Sequence, residues 1–123
     1  MTKKRILIVD DEPDLLETIQ INLELEGYEC LVAYDGFRGF ERARQEKPDL
    51  IILDVMLPGM NGYKVCRLLK FDEKYKRIPI IMLTAEAQEK DRLTGKETGA
   101  DFYMTKPFSA DKLLAKVKEY LGE

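Results

Sequence analysis

Short runs of Ile, Leu and Val recur along the chain, and the segments between them have helical spacing. The length and β-branched content of these runs predict five strands, at residues 6–9, 28–34, 50–53, 78–83 and 102–104. Residues 50–53 read Leu-Ile-Ile-Leu and lack the alternation of a strand that has one wet face. A strand of this kind is covered on both faces, which predicts a parallel sheet.

The segments between the strands carry residues that begin and end helices. Pro13 suits the first turn of the first predicted helix, and Gly27 suits its exit. Asp35, Asn61 and Ser109 are of types that cap helix N-termini, and they precede the second, third and fifth predicted helices. Strands and helices therefore alternate along the chain.

The fourth predicted helix, residues 86–98, differs from the others. Its clear apolar anchors are Ala87 and Leu93, and Gly95 lies in its interior, so we expect it to dock weakly. A weakly docked helix is the kind of element that moves in a switch, although a short surface helix with frayed ends has the same pattern.

Five strand-then-helix units in series define the fold class. They predict an α/β fold, a doubly wound five-stranded parallel sheet with right-handed crossovers and helices on both faces. A length of 123 residues fits one domain, residues 1–123. Ligands of such sheets bind beyond the carboxyl ends of the strands, so the residues that follow each strand are the candidates for function.

Composition removes several classes of function. The 20 basic and 23 acidic residues nearly balance, which does not favour direct nucleic-acid binding or a basic membrane face. No stretch approaches the roughly 18 apolar residues of a membrane span. Cys30 and Cys66 lack the spacing of a metal site, so we expect reduced thiols in a cytoplasmic protein. Because the chain has no histidine, any histidine acid–base catalyst or phosphodonor must belong to a partner.

Acidic residues collect where two predicted strands end. Asp10, Asp11 and Glu12 follow the first strand, and Asp54 follows the third. If these strands are neighbours, three Asp carboxylates converge, and their mutual repulsion favours a bound cation. That cation should be hard, and Mg2+ suits a few carboxylates, a carbonyl and waters better than Ca2+ does. Glu12, beside Pro13, is interpreted as the solvated start of the first helix.

Two further polar residues belong to the same predicted edge. Thr84 ends the fourth strand, and Lys106 follows the fifth. Each is an ordinary strand or surface residue when taken alone. Together with Asp54 they favour phosphoryl chemistry, in which Asp54 attacks phosphorus while Thr84 and Lys106 hold two phosphoryl oxygens. Such a transfer depends on position and charge more than on a general base, so it suits a chain without histidine.

Four motifs give the chain a specific resemblance. They are VDDE, LDVMLPGMNG, LTA and GADFYMTKPF, and they occur in this order across essentially the whole chain. With them the sequence resembles the receiver domain of two-component response regulators, the family of the chemotaxis regulator. The resemblance implies a flavodoxin-like (βα)5 fold with strand order 2-1-3-4-5. It also implies a phosphorylation-activated signalling switch rather than an enzyme.

The resemblance implies roles for the acidic residues. Asp54 would accept a phosphoryl group from a histidine of a sensor kinase that acts in trans. The side chains of Asp11 and Asp54 and the carbonyl of Met56 would bind Mg2+, and Asp10 would act through a water molecule.

The resemblance also implies how the switch works. Thr84 and Lys106 would contact the phosphoryl group, and Tyr103 would swing inward as Thr84 moves. These movements would change the face built from helix four, strand five and helix five, and that face would regulate an output partner that the sequence does not identify. The Lys106-Pro107 peptide bond would be cis.

Departures from the family pattern bear on self-association. Receivers that dimerise through this output face commonly carry an acid pair after Gly-Ala, an acid early in helix five and basic residues along that helix. Here Phe102, Lys112 and Gly122 stand at three of those positions, and Lys116 keeps only the charge. We therefore expect a monomer, with a weak phosphorylation-dependent dimer as the alternative.

Three rival functions share parts of this pattern. A haloacid-dehalogenase-type phosphatase needs a second Asp two residues after its nucleophile, where Met56 stands. A flavodoxin-like FMN carrier needs a phosphate loop rich in glycine and hydroxyls, where the sequence DDEPD would repel phosphate. An interaction module that works without phosphorylation would keep the acids for structural reasons, and labelling of Asp54 separates it from a receiver.

Overall fold

All five predicted strands are present, and they form one sheet. The computed structural model describes residues 3–85 and 99–123. The strands are β1 (Arg5–Val9), β2 (Glu29–Ala33), β3 (Leu50–Asp54), β4 (Ile80–Ala85) and β5 (Phe102–Lys106). β3 is buried along its whole length, as its unbroken apolar sequence predicts.

The described helices follow the strands as expected. They are α1 (Pro13–Leu25), α2 (Gly36–Glu46), α3 (Gly62–Lys70) and α4 (Ala110–Leu121), of which α4 is the fifth predicted helix. The fourth predicted helix, residues 86–98, lies outside the described residues. In the two described ranges, no helix combines the length and the apolar character that crossing a bilayer requires.

The sheet has the topology that the sequence predicts. Its strands lie in the order β2-β1-β3-β4-β5, and every neighbouring pair is parallel. In β1, for example, Ile6 pairs with Cys30 of β2 on one side and with Leu50 of β3 on the other. All five strands therefore end at one carboxyl edge.

Helices cover both faces of the sheet, and each face has its own apolar cluster. Because successive side chains of a strand point to opposite faces, Ile6 and Ile8 belong to one cluster and Leu7 and Val9 to the other. The first cluster includes Leu16, Ile19 and Leu23 of α1 with Leu113 and Val117 of α4, and the second includes Ala43 of α2 with Val65, Cys66 and Leu69 of α3. Both cysteines of the chain are thiols, as predicted.

Helix starts follow the predicted capping residues. Asp35, Asn61 and Ser109 each accept a hydrogen bond from the backbone N–H three residues further on, at 2.7, 3.0 and 3.1 Å. Pro13 is the first residue of α1, and Gly27, just past its end, has a φ of 93°. These local predictions are confirmed.

Strand bounds differ from the prediction by one or two residues, and the differences that matter for the site are in β4 and β5. β4 begins at Ile80 rather than at residue 78, because Pro79 has no N–H to donate to a ladder. β5 runs two residues past its predicted end, since Thr105 and Lys106 stay in register with β4. The extension brings Lys106 to the carboxyl edge of the sheet, and the bond from Lys106 to Pro107 is cis, as the resemblance implies.

The loop between β3 and α3 folds back against the end of β3. Gly62 N donates a hydrogen bond to the Val55 carbonyl at 2.8 Å. A Cβ atom added at Gly62 would lie 2.1 Å from the carbonyl oxygen of Asp54. The loop can therefore pack this closely on the end of β3 because Gly62 has no side chain.

Gly62→Ala should lower the free energy of unfolding by about 3 kcal/mol, because the new methyl group overlaps main-chain atoms that cannot move without distorting β3. Gly27→Ala is the matched control: its φ of 93° costs about 1 kcal/mol, but nothing lies within 4 Å of the added atom. Urea unfolding followed by circular dichroism measures both, and equal losses would contradict the close approach at Gly62.

Candidate functional site

The carboxyl edge of the sheet gathers the polar residues that the sequence singled out. Asp10 directly follows β1, Asp54 is the last residue of β3, and Lys106 is the last residue of β5. Thr84 lies in β4 between them and is buried. Four strands that are neighbours in the sheet thus deliver four functional groups to one place.

Three carboxylates converge at this edge. Oxygen atoms of Asp10, Asp11 and Asp54 all lie within 4.8 Å of one another. Asp10 and Asp54 are buried, whereas Asp11 is exposed. The convergence expected from the neighbouring first and third strands is present.

Lys106 supplies the positive charge. Its Nζ lies 3.2 Å from Asp10 Oδ2 and 3.3 Å from Asp54 Oδ1, and its side chain is 18% exposed. Asp10 is further fixed by its other oxygen, because Oδ1 accepts a hydrogen bond from Glu12 N at 2.9 Å. Both oxygens of Asp10 therefore have protein partners, which is compatible with the expectation that Asp10 contacts the cation through a water molecule.

Burial and repulsion set the electrostatics of the cluster. Burial first, and then the charge of Asp10, raise the pKa of Asp54 from 3.8 to about 6, against the attraction of Lys106. Burial also raises the pKa of Asp10, although the N–H of Glu12 and the ammonium of Lys106 oppose it. Burial alone would lower the pKa of Lys106, but the surrounding carboxylates outweigh it and raise that pKa. The carboxylates are thus under-neutralised by the protein.

This donor set fits a hard divalent cation. The oxygens are close enough to share one ion, and burial, followed by the charge of Asp10, raises the pKa of Asp54 despite the nearby ammonium of Lys106. Met56 is 64% exposed and lines the same cleft as Asp11, Asp54 and Lys106. The residues expected to bind Mg2+ are therefore together at one cleft.

The expected switch residues lie on β4 and β5. Thr84 pairs in register with Thr105, and Tyr103 pairs with Met82 two residue pairs earlier along the strands. Tyr103 is half-buried, packs against the second apolar cluster, and has its hydroxyl oxygen shielded from solvent. Its ring therefore lies partly inside the fold.

Glu12 is the residue whose place the sequence interpretation missed. It precedes α1 and its side chain is 62% exposed, as a solvated helix start should be. However, its Oε1 also lies 3.2 Å from Lys106 Nζ, so it is a fourth acid at the site. The only sequence signal for this contact is that three acids in a row follow β1, while their counter-charge lies 94 residues away.

Comparison with known proteins places the chain in a family. The family model for the response regulator receiver domain matches residues 6–118. The chain belongs to the response regulator receiver domain family. It is 47% identical over 117 residues to the DNA-binding dual master transcriptional regulator RpaA of Synechocystis, covering 95% of this chain and 48% of RpaA. It is 50% identical over 121 residues to the phosphate regulon regulatory protein PhoB of Pseudomonas aeruginosa, covering 98% of this chain and 53% of PhoB.

A solved receiver domain shows the same fold with an ion in place. The receiver domain of the sensor histidine kinase PA1611 from Pseudomonas aeruginosa, with a magnesium ion coordinated in its active-site cleft, has a TM-score of 0.89 and 31% identity. The match covers 99% of this chain and all of that receiver. The chain spans about half the length of the curated relatives it matches.

Membership in the family decides against two of the three rival functions weighed from the sequence. Receiver domains of two-component response regulators are phosphorylated on an aspartate by histidine kinases, and they bind Mg2+ at an acidic site. This chain is a receiver domain of that signalling family rather than a phosphatase or a flavin carrier.

Asp54→Asn should raise the free energy of unfolding of the metal-free protein by about 1 to 3 kcal/mol, since each pKa unit by which burial and repulsion disfavour the carboxylate corresponds to 1.36 kcal/mol. Urea unfolding at neutral pH with a chelator measures this change. Asp14→Asn removes an exposed charge from the first turn of α1 and should cost a few tenths of a kcal/mol. A loss of stability in Asp54→Asn would show that repulsion does not dominate the cluster.

Proposed function

We propose that this chain accepts a phosphoryl group on Asp54 from a sensor histidine kinase and thereby switches between two signalling states. One observation carries the proposal: Asp54 is buried at the end of β3, within 3.3 Å of Lys106 and beside the carboxylates of Asp10 and Asp11. A nucleophilic oxygen, a cationic side chain and a candidate metal site thus share one cleft.

The transfer exchanges one bond to phosphorus for another. An Asp54 carboxylate oxygen forms the new P–O bond while the P–N bond to the donor histidine breaks. The electron pair of the broken bond stays on the imidazole nitrogen of the donor. That histidine belongs to the kinase, because this chain contains none. Lys106 and Thr84 hold oxygens of the phosphoryl group, and their fixed positions supply much of the rate enhancement.

Magnesium is the proposed cofactor. Held by Asp11, Asp54 and the Met56 carbonyl, with Asp10 in support through water, it would neutralise charge on the phosphoryl oxygens. The electrostatics of the carboxylates support this proposal. Burial and the charge of Asp10 disfavour the carboxylate form of Asp54 even though the Lys106 ammonium is close by, so a cation would stabilise it. The domain takes part in its own phosphorylation and dephosphorylation but turns over no separate substrate.

We place the output of the switch at a surface that β5 helps to form. Contact of Thr84 and Lys106 with the phosphoryl group would draw both inward, and Tyr103 would follow. The face that would change is the output face expected from the family resemblance, of which β5 and α4 lie in the described residues, and an output protein or domain would bind there. The carboxylate cluster and the output face are therefore linked through the ends of β4 and β5.

The output face has a chemistry that supports a monomer. Lys116 Nζ lies 4.3 Å from the centre of the Phe102 ring, and the Tyr120 ring is 6.4 Å from the same ring. Phe102 stands where receivers that dimerise through this face commonly carry an acid, so Lys116 contacts an aromatic ring where such receivers have an acid–base pair. We propose a cytoplasmic single receiver domain, residues 1–123, that is a monomer or a weak phosphorylation-dependent dimer and does not itself bind nucleic acid.

Wild type should be labelled by acetyl phosphate when Mg2+ is present, and Asp54→Ala should lose the label, because its nucleophilic oxygen is gone. Intact-mass spectrometry detects the added phosphoryl group. Asp14→Ala, which removes an exposed carboxylate nearby on α1, should be labelled like wild type. Failure of wild type to be labelled, or full labelling of Asp54→Ala, would favour an interaction module that works without phosphorylation.

Asp11→Ala should weaken Mg2+ binding at least about tenfold, which corresponds to 1.4 kcal/mol, because it removes an exposed carboxylate of the three-acid cluster. Isothermal titration with Mg2+ measures this affinity without any phosphodonor. Glu12→Ala is the control, since it removes the adjacent acid that contacts Lys106 but lies outside that cluster. Equal losses in the two variants would mean that the cation responds to total charge and not to the proposed ligand.

A further inference from the structure

β2 is the outermost described strand on its side of the sheet, and some of its main-chain groups point away from the sheet. Glu29 N donates to the Lys4 carbonyl at 2.9 Å, and the Ala33 carbonyl accepts from Asp10 N at 3.2 Å. Residues 29, 31 and 33 therefore turn their main-chain groups toward β1, and residues 30 and 32 turn theirs outward. An outward row of N–H and C=O groups is a template for another strand.

Arg42 reaches this outward row from α2. Its Nη1 donates a hydrogen bond to the Val32 carbonyl oxygen at 3.0 Å, and the contact is partly buried. A guanidinium that holds a carbonyl forms a charge-assisted bond, which is stronger than the neutral bond an incoming strand would offer. The acceptor at the middle of the edge is thus occupied.

The surface beside this edge would add to any strand pairing. A groove next to β2 is lined by Val32, Ala33, Tyr34, Arg38, Glu41 and Arg42. Tyr34, which lines this groove, is 50% exposed. Aromatic side chains next to an open strand edge gain burial when a second strand pairs there.

We propose that the outer edge of β2 is a pairing surface for a second copy of this chain, and that Arg42 keeps it closed by holding the Val32 carbonyl. The occupant is a second copy because a strand edge is self-complementary. Two β2 edges related by a two-fold axis run antiparallel, so outward N–H groups of one copy meet outward carbonyls of the other. The same axis brings Glu29, at the start of β2, toward the end of β2 in the other copy, where Arg38 lines the groove. Glu29 is 55% exposed and pairs with Arg5 at 3.0 Å in its own copy.

Arg42 is well placed for this task and Arg38 is not. Arg38 lies one turn earlier on the same helix, its side chain is 80% exposed, and its ion pair is with Asp35 at 3.7 Å. Removal of Arg38 deletes the same charge from the same helix but leaves the Val32 carbonyl covered. The two arginines therefore form a matched pair for an experiment.

The test compares self-association of Arg42→Met and Arg38→Met by analytical ultracentrifugation, without phosphodonor and with a chelator present. Met keeps the length and the helix propensity of the side chain but cannot donate a hydrogen bond. Wild type and Arg38→Met should sediment as the 14.3 kDa monomer up to sub-millimolar concentration. Arg42→Met should shift toward twice that mass, with slower exchange of the outward amides of Cys30 and Val32.

A double variant shows whether the main-chain edge is responsible. Val32→Pro removes the outward N–H without breaking a bond to β1, and proline is tolerated at such an edge position. Arg42→Met with Val32→Pro should return to the monomer, with circular dichroism confirming that it is folded. A monomeric Arg42→Met, association of Arg38→Met to the same extent, or a dimer whose protected amides lie outside β2 would each overturn the proposal.

Discussion

The structure depends on one electrostatic constraint: three aspartate carboxylates meet at a sheet edge where, in the described part of the chain, the ammonium of Lys106 faces them. Lys106 lies within 3.3 Å of both buried acids, yet burial and the charge of Asp10 still raise the pKa of Asp54, so the ammonium does not offset the full cost of a charged carboxylate there. A site that was fully neutralised by its own side chains would have little affinity for a divalent cation or a phosphoryl group. The residual charge is therefore what makes the edge reactive.

The parallel sheet holds these carboxylates close together. Neighbouring strands fix Asp10 beside Asp54, and the register of β4 with β5 fixes Thr84 and Lys106 on the other side. The carboxylates cannot relax away from one another, because the strands that carry them are buried on both faces. Gly62 adds to this, since the loop packs directly on the main chain of Asp54.

Local features could be predicted from the sequence, and long-range contacts could not. Caps at Asp35, Asn61 and Ser109 follow from residue type and the next three positions, and each is present. Strand order required a family resemblance, because apolar runs do not encode which strands are neighbours. The contact of Glu12 with Lys106 left no local pattern, since it joins residues 94 positions apart and serves no capping role.

Magnitudes explain why the fold tolerates such a site. The rise in the pKa of Asp54 from 3.8 to about 6 corresponds to about 3 kcal/mol, at 1.36 kcal/mol per unit. Full burial of one Ile or Leu side chain contributes about 1.5 to 3 kcal/mol, and β1 and β3 alone bury seven such side chains. The site therefore costs about what one or two core residues provide, which is small enough to keep the domain folded.

The same sheet must stay inert along its outer strand, where one hydrogen bond from Arg42 meets an exposed row of main-chain groups. The residual charge that makes the carboxyl edge reactive and the covered carbonyl that would make the β2 edge inert are thus two consequences of building a switch on an open parallel sheet.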